Sequence, residues 1–170
     1  MASIYGLVLD VGMYMTARTI RFATLKETSL LSELALCLKG YWGYDTAFLE
    51  SCRQELSYNV NQLSSPAYCF KVAELNRCKM TGFFALNLLG SDNPELDALF
   101  IDPDFIGQGW GKYLLASAIA VAKAHNAKSI KLQADPFAED FYLVNGAVKV
   151  GQTESLSVPG RFLPLLEICL

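Results

Sequence analysis

The sequence predicts a single α/β domain spanning residues 1–170, with helices packed on a mixed and mainly antiparallel sheet. Apolar residues make up 52% of the chain and charged residues 18%, a composition typical of a well-buried core. The predicted elements follow the order β-α-α-β-β-β-α-β-α-β-β, in which three strands occur in succession. We therefore expect an antiparallel meander, followed by a parallel strand pair where the longest helix joins two strands.

One strand and two helices precede the meander. Residues 19–23 alternate apolar and polar side chains, as a half-buried strand does. Thr24 and Glu27 have the spacing of a capping box, which predicts that a helix begins there and ends at Gly40. A second helix is predicted for residues 45–56, with the aspartate at its start as the N-cap.

The meander is predicted from three segments rich in β-branched and aromatic side chains, residues 67–75, 81–89 and 95–101. The first two segments flank a polar turn at residues 76–79 and therefore form a hairpin. Glycine and proline break the chain at residues 90–94, before the third strand.

The second half of the chain alternates helices and strands. Helices are predicted for residues 109–125 and 136–145, on either side of a strand at residues 129–134. Two further strands follow at residues 147–153 and 161–169. The last of them is strongly apolar, which suits either the core or the interface of a homodimer.

Charge and cysteine usage exclude several classes of protein. Fourteen Lys and Arg against seventeen Asp and Glu give a net charge of −3, so a nucleic-acid partner is not expected. The five cysteines are odd in number, widely spaced and never in a Cys-x-x-Cys pair, which favours a reducing, cytoplasmic location. The single histidine, His125, has no Cys or His at ligand spacing, and we expect no metal.

Residues 1–17 form an N-terminal extension to which no role is assigned. The segment is apolar, but it contains Asp10 and has no Lys or Arg before Arg18, unlike a secretory signal with its basic start. It is too short to span a bilayer, as is the apolar run at residues 114–122, so no membrane partner is expected.

The stretch DPDFIGQGWGKYLL, residues 102–115, lies between a predicted strand and a predicted helix. Gly107, Gly109 and Gly111 leave the backbone bare where N–H groups and the positive end of the helix dipole meet, and Lys112 adds a cation. Such a loop suits a phosphate group. The structural alternative is that the glycines only form a tight strand-to-helix turn.

Three phosphate-binding patterns were compared with this loop. A P-loop is excluded because Tyr113 follows Lys112, where Ser or Thr is required. A dinucleotide fingerprint is a rival, because Asp135 follows the next strand, but its third glycine would stand at position 112. The third pattern, Gln/Arg-x-x-Gly-x-Gly/Ala, matches Gly109 and Gly111 and places Ile106 at its first, usually polar position.

On these residues the chain resembles the GNAT superfamily of N-acetyltransferases, whose coenzyme A loop has this motif. Residues 135–151 are similar to a later family motif, with Tyr142 and Gly146 at its tyrosine and glycine and Asp135 where it often has Asn. The resemblance implies a three-layer fold with a splayed central parallel strand pair, and acetyl-coenzyme A as cofactor. It implies cofactor binding by Phe100, Ile101, Ile106, Gly107, Gln108, Gly109, Trp110, Gly111 and Lys112.

The resemblance also implies direct attack of an amine on the thioester. Tyr142 is the predicted general acid, since a phenol is protonated at neutral pH, although a core role explains it as well. Glu95 and Asp97 are alternative bases near the loop. Candidate residues for the acceptor side are Trp42, Tyr44 and Arg161, the last as a partner for an acceptor carboxylate.

Three functions therefore stay open. The leading prediction is an acetyl-coenzyme A dependent N-acetyltransferase acting on a primary amine of a small molecule or peptide. A non-catalytic acyl-coenzyme A binding or sensing module is the alternative, suggested by Ile106. A dinucleotide-dependent oxidoreductase is the third.

Overall fold

A computed structural model describes residues 17–90 and 92–170. The extension predicted for residues 1–17 lies outside this part of the chain except for residue 17. The strands are β1 Arg18–Phe22, β2 Tyr68–Leu75, β3 Lys79–Asn87, β4 Glu95–Ile101, β5 Ser129–Gln133, β6 Val148–Glu154 and β7 Phe162–Cys169. The α-helices are α1 Thr28–Tyr41, α2 Thr46–Cys52, α3 Val60–Ser64, α4 Trp110–Ala124 and α5 Glu139–Val144.

All seven strands belong to one mixed sheet in the order β1-β2-β3-β4-β5-β7-β6. Neighbours from β1 to β4 are antiparallel, as are β5 with β7 and β7 with β6. β4 and β5, which α4 joins, are the parallel pair, and the predicted fold class is confirmed. The apolar strand β7 lies inside the sheet, between β5 and β6.

The parallel pair is short. Only Glu95 and Lys131 are in register, and the main-chain N–H of Lys131 donates to the carbonyl of Pro94 at 3.0 Å. Beyond Glu95, β4 continues to Ile101 without pairing to β5. The two strands therefore separate towards the end of the sheet where the glycine loop begins.

Helices cover both faces of the sheet and give three layers. β3 shows why, since Phe83 and Ala85 belong to one core while Phe84 and Leu86 belong to the other. The first core contains side chains of α1 and of the segment around α2, and the second contains α4 and Tyr142 of α5. Successive side chains of this buried strand point to opposite faces of the sheet and thus contribute to both cores.

Three helices differ from their predicted bounds by more than one residue, and the one predicted for residues 136–145 consists of a 3₁₀ turn at Pro136–Ala138 followed by α5. The capping box at Thr24 and Glu27 is present, but it opens a single 3₁₀ turn, and α1 begins at Thr28. The Glu27 carboxylate also pairs with Arg21 at 2.7 Å. The second helix ends at Cys52 and not at residue 56, because the following residues form turns.

Helix α3 was not predicted from the sequence. Its five residues are too few to show a helical period, and it begins at a capping box formed by Asn59 and Gln62. Among the described residues, no helix has the length and apolar character needed to cross a membrane.

Any side chain at Gly82 in β3 is predicted to destabilise the fold for steric reasons. A Cβ at this position would lie 2.5 Å from the carbonyl oxygen of Phe100 and 2.8 Å from Cδ1 of Ile101. Gly82→Ala should therefore lower the free energy of unfolding by about 1–3 kcal/mol, measured by urea denaturation at unchanged m value. Gly151 of β6 is the matched control, since a Cβ there meets nothing within 4 Å. Equal urea midpoints for Gly82→Ala and Gly151→Ala would contradict the prediction.

Candidate active site

The glycine loop connects β4 to α4. Asp102 begins a 3₁₀ turn at Pro103–Phe105, and its Oδ1 accepts the N–H of Asp104 at 3.0 Å. The chain then passes through Gly107 and Gly109, whose φ angles are 77° and 82°. Both angles lie in the left-handed region that side chains disfavour, which explains the glycines. Gly109 is the residue immediately before α4.

Gly111 has a different role from its neighbours. It lies inside the first turn of α4, and its φ is not among the positive angles of the loop. A Cβ there would lie 3.1 Å from the ring of Phe141 in α5. The third glycine therefore allows α4 and α5 to pack closely.

Most main-chain N–H groups of the loop are open. Gln108 donates to the carbonyl of Phe105 at 3.4 Å, and Tyr113 donates to that of Gly109 at 3.1 Å. Within the described residues the structure gives no acceptor for the N–H of Gly107 or for those of residues 109–112. These donors lie at the positive end of α4, where an anion is favoured.

A cavity of about 380 Å³ lies beside the loop. Predicted cofactor residues on its wall are Ile101, Ile106, Gly107, Gly109, Gly111 and Lys112. Gln108 is not on this wall, because its side chain turns back to the carbonyl of Asp104 at 2.8 Å. The side chain of Trp110 is 2% exposed and packs in the core.

Arg18 supports the loop and was not predicted. Its Nη2 donates to the carbonyl of Gln108 at 2.9 Å, and its guanidinium lies 4.5 Å from the centre of the Trp110 ring. These contacts join β1 to a segment 90 residues away in the sequence, so no local pattern could reveal them.

A second cavity, of about 420 Å³, adjoins the first. We call the first the loop cavity and the second the acidic cavity. Phe100 lies on the wall of the acidic cavity and not of the loop cavity. The walls that the two cavities share are formed by Leu38, Trp42, Leu99, Ala138 and Tyr142.

Tyr142 lies between the two cavities. Its side chain is 6% exposed, and the structure gives its hydroxyl no hydrogen-bond partner within the described residues. Burial raises the pKa of Tyr142 above its ordinary value, so the phenol stays protonated at neutral pH. An undissociated O–H donor therefore borders both spaces.

Glu95 and Asp97 both line the acidic cavity. The register of β4 against β3 passes from Leu96 to Ala98, which leaves Asp97 as a β-bulge without a partner. Its side chain is exposed where it borders the cavity, whose walls displace part of the solvent around it. This burial, with the charge of Glu95, raises the pKa of Asp97 to about 7.

Asp135 is occupied by an ion-pair network. Its Oδ2 lies 2.6 Å from Nζ of Lys39 and 3.5 Å from Nη2 of Arg161, and the hydroxyl of Tyr44 donates to Oδ1 at 3.0 Å. Burial alone would raise the pKa of Asp135, but the charge of Lys39 and the hydrogen bonds lower it below its ordinary value. An acid bound in this way is not available to a ribose hydroxyl.

The network also accounts for two residues predicted on the acceptor side. Tyr44 and Arg161 do not line either cavity, and the Arg161 guanidinium stacks on Tyr44 and on Phe48. Trp42, the third, lies on the shared wall with its ring stacked on Phe137 at 5.6 Å.

Two charged residues and a tyrosine of the acidic cavity were missed from the sequence. Lys39 comes from α1, and Glu55 and Tyr58 come from the segment between α2 and α3. They meet only because the first core brings these segments onto β3 and β4. Within the described residues no cluster of His, Cys, Asp and Glu side chains is suited to a metal ion.

Asp135→Asn should lower the free energy of unfolding by about 3 kcal/mol, because Lys39 and Arg161 would lose their mostly buried counter-charge. The matched control is Asp92→Asn, which breaks a pair with Lys128 of the same 2.6 Å length at side chains 60% and 75% exposed. That change should cost less than about 1 kcal/mol. Equal losses in urea denaturation would show that burial does not set the strength of the network.

Comparison with known proteins agrees with this geometry. The signature of the acetyltransferase (GNAT) family matches residues 34–146, more than half of the chain. An uncharacterized N-acetyltransferase from Methanocaldococcus jannaschii is 27% identical over 126 residues, which cover 71% of this chain and 55% of that protein. The chain thus spans only about half the length of this curated relative.

Two solved structures share the fold. PaiA N-acetyltransferase from Thermoplasma acidophilum, in complex with coenzyme A, aligns with a TM-score of 0.75 at 22% identity, covering 91% of this chain and 99% of that chain. A GCN5-related N-acetyltransferase from Rhodopseudomonas palustris also gives 0.75, at 18% identity, covering 93% and 99%. The family match confirms the resemblance inferred from the glycine loop, and the chain belongs to the acetyltransferase (GNAT) family.

Proposed function

We propose that the protein transfers an acetyl group from acetyl-coenzyme A directly to a primary amine. The observation that carries this proposal is the position of Tyr142, a protonated phenol on the wall shared by the loop cavity and the acidic cavity. Transfer needs two reactants to meet at one proton donor, and this arrangement provides two adjoining spaces and that donor.

The loop cavity suits the cofactor. The open N–H groups of residues 107 and 109–112, with Lys112, would hold the diphosphate. The edge of β4 beyond Glu95, which β5 leaves unpaired, would bind an extended arm through its main chain. Coenzyme A in the Thermoplasma acidophilum relative supports this choice. When bound, the cofactor supplies an acetyl thioester, whose carbonyl carbon accepts the amine.

Asp97 is the base in this proposal. An amine enters mainly as its ammonium and must lose a proton before it can attack. A carboxyl group with a pKa of about 7 is partly deprotonated at neutral pH. A general base is most effective when its pKa lies near the pH at which it works. As the new C–N bond forms and the C–S bond breaks, Tyr142 would give its proton to the leaving sulfur, and the proton that the acylated nitrogen loses would restore the phenol.

A non-catalytic acyl-coenzyme A binding module is the second candidate. Ile106 favours it, since this residue stands where the family motif has a polar side chain and lies on the wall of the loop cavity. The two candidates differ in one measurable product, the free thiol.

Tyr142→Phe should lower kcat about 10²-fold, because the leaving sulfur loses its proton donor, while coenzyme A binding changes little. Thiol release from acetyl-coenzyme A with primary amines measures the first quantity, and calorimetry with coenzyme A measures the second. Tyr41→Phe is the control, since Tyr41 is 55% exposed and lines neither cavity. Unchanged kcat in Tyr142→Phe would remove the phenol from the reaction. Coenzyme A binding without thiol release by the unmodified protein would favour the binding module.

The pH dependence of kcat/KM should distinguish Asp97 from Glu95. In the unmodified protein the rate should rise with pH through about 7, as the base loses its proton. Asp97→Asn should abolish this limb and lower the rate. Glu95→Gln should move the limb to lower pH, because the repulsion that helps to raise the pKa of Asp97 is removed. Loss of the limb in Glu95→Gln alone would identify Glu95 as the base.

A further inference from the structure

We propose that the preferred acceptor is a small dication, an amine with a second positively charged group that Glu55 and Tyr58 hold in the acidic cavity. This inference rests on the proposed function, since it concerns the amine that function requires.

The uncompensated charge of the cavity wall is negative. Glu55, Glu95 and Asp97 line it, and none of the three forms an ion pair within residues 17–90 and 92–170. Glu95 accepts from the amide of Gln133 at 3.2 Å, and Glu55 accepts from the hydroxyl of Ser157. Both donors are neutral, so the negative charges remain for a ligand to compensate.

Tyr58 lines the same cavity wall as these carboxylates. Its ring packs edge-to-face on Phe70 and Phe83, with centres 5.6 and 5.4 Å apart. Burial first, and then the charges of Asp97 and Glu55, raise its pKa, so the phenol stays protonated at neutral pH. A cation beside Tyr58 would meet Glu55 and the electron-rich ring together.

Unused hydroxyl groups also point to a ligand. Among the described residues the structure gives no hydrogen-bond partner for the phenol of Tyr58 or for that of Tyr142. Tyr142 is more than nine-tenths buried, and both residues line the acidic cavity. Neither phenol oxygen is among the buried unpaired atoms of the described residues, so both are accessible from the cavity and free to bind a polar molecule there.

Among the described residues, a negatively charged acceptor would find no free cation on the cavity wall. Lys39 is the cation on the cavity wall, and Asp135 already binds its ammonium at 2.6 Å. Arg161, which was predicted to bind an acceptor carboxylate, is bound to the same Asp135 and to Tyr44. An acceptor carboxylate would instead face the three uncompensated carboxylates.

One positive charge on the acceptor is not sufficient to compensate the negative charge of the cavity wall throughout the reaction. The reacting ammonium is neutralised by Asp97 and becomes an amide, so its charge is lost during the reaction. A second cationic group stays charged throughout and keeps its partner at Glu55. A cavity of about 420 Å³ is in the range of small-molecule sites, which favours a short chain between the two charges.

The test uses three acceptors of one length with acetyl-coenzyme A and the full chain: 1-aminobutane, 1,4-diaminobutane and 4-aminobutanoate. They differ only in whether the distal end is neutral, positive or negative. We expect kcat/KM for the diamine to exceed that for 1-aminobutane about tenfold or more, beyond the statistical advantage of two identical amines. The anionic acceptor should be the poorest.

Glu55→Gln should reduce the ratio of the diamine to the monoamine at least about fivefold, because the distal ammonium loses its counter-charge. Glu50→Gln is the control, since it removes the same charge from α2 at an exposed side chain paired with Arg53. It should leave the order of the three acceptors unchanged. Equal values for diamine and monoamine, a preference for 4-aminobutanoate, or a ratio unaffected by Glu55→Gln would overturn the inference.

Failure of the proposed function would look different. If no amine releases thiol, calorimetry with the coenzyme A complex still compares the binding of the diamine and the monoamine. Tighter binding of the diamine that Glu55→Gln weakens would support the dication site and overturn only the transfer reaction. Equal binding would overturn the dication site as well.

Discussion

Both cavities depend on the early separation of β4 from β5. Two parallel strands that remained paired would place a continuous sheet between α1 and α4, and the space between the helices would fill with side chains. Here the register is limited to Glu95 and Lys131. Beyond that pair, β4 carries Asp97 into one space, and the glycine loop follows at the end of the strand beside the other.

The separated strands must be held by something other than main-chain hydrogen bonds, and Asp135 serves this purpose. It lies just after β5, and its carboxylate binds Lys39 of α1 and Arg161 at the start of β7. Ion pairs of this kind are directional and largely shielded from water, so they fix the distance between α1 and the far half of the sheet. Tyr44 joins the same oxygens and brings the loop between α1 and α2 into the network.

Local patterns predicted the parts of the fold that depend on neighbouring residues. The order of strands followed from alternation, and Gly107 and Gly109 have the positive φ angles expected of them. The resemblance pointed to Tyr142, which lies on the wall shared by both cavities. In each case the residues that determine the feature lie within one short segment, so the feature can be predicted from the sequence.

Contacts between distant segments were beyond prediction. Arg161 was predicted to bind a substrate, but it pairs with Asp135, because only the folded sheet brings β7 beside the end of β5. The close approach of Gly111 to Phe141 could not be predicted for a similar reason, since Phe141 belongs to another helix. The segment that carries Glu55 and Tyr58 has no periodic pattern of apolar residues from which its structure could be predicted. That these side chains line a cavity is evident only in the folded structure.

The shared wall has a thermodynamic consequence. Leu38, Leu99 and Ala138 contact both spaces, so a ligand that shifts any of these side chains in one space alters the walls of the other. By linkage, the factor by which an occupant of the first space changes affinity in the second must equal the factor in the reverse direction. A substitution in this wall that admits a bulkier molecule to one cavity would therefore also change the binding affinity of the other cavity.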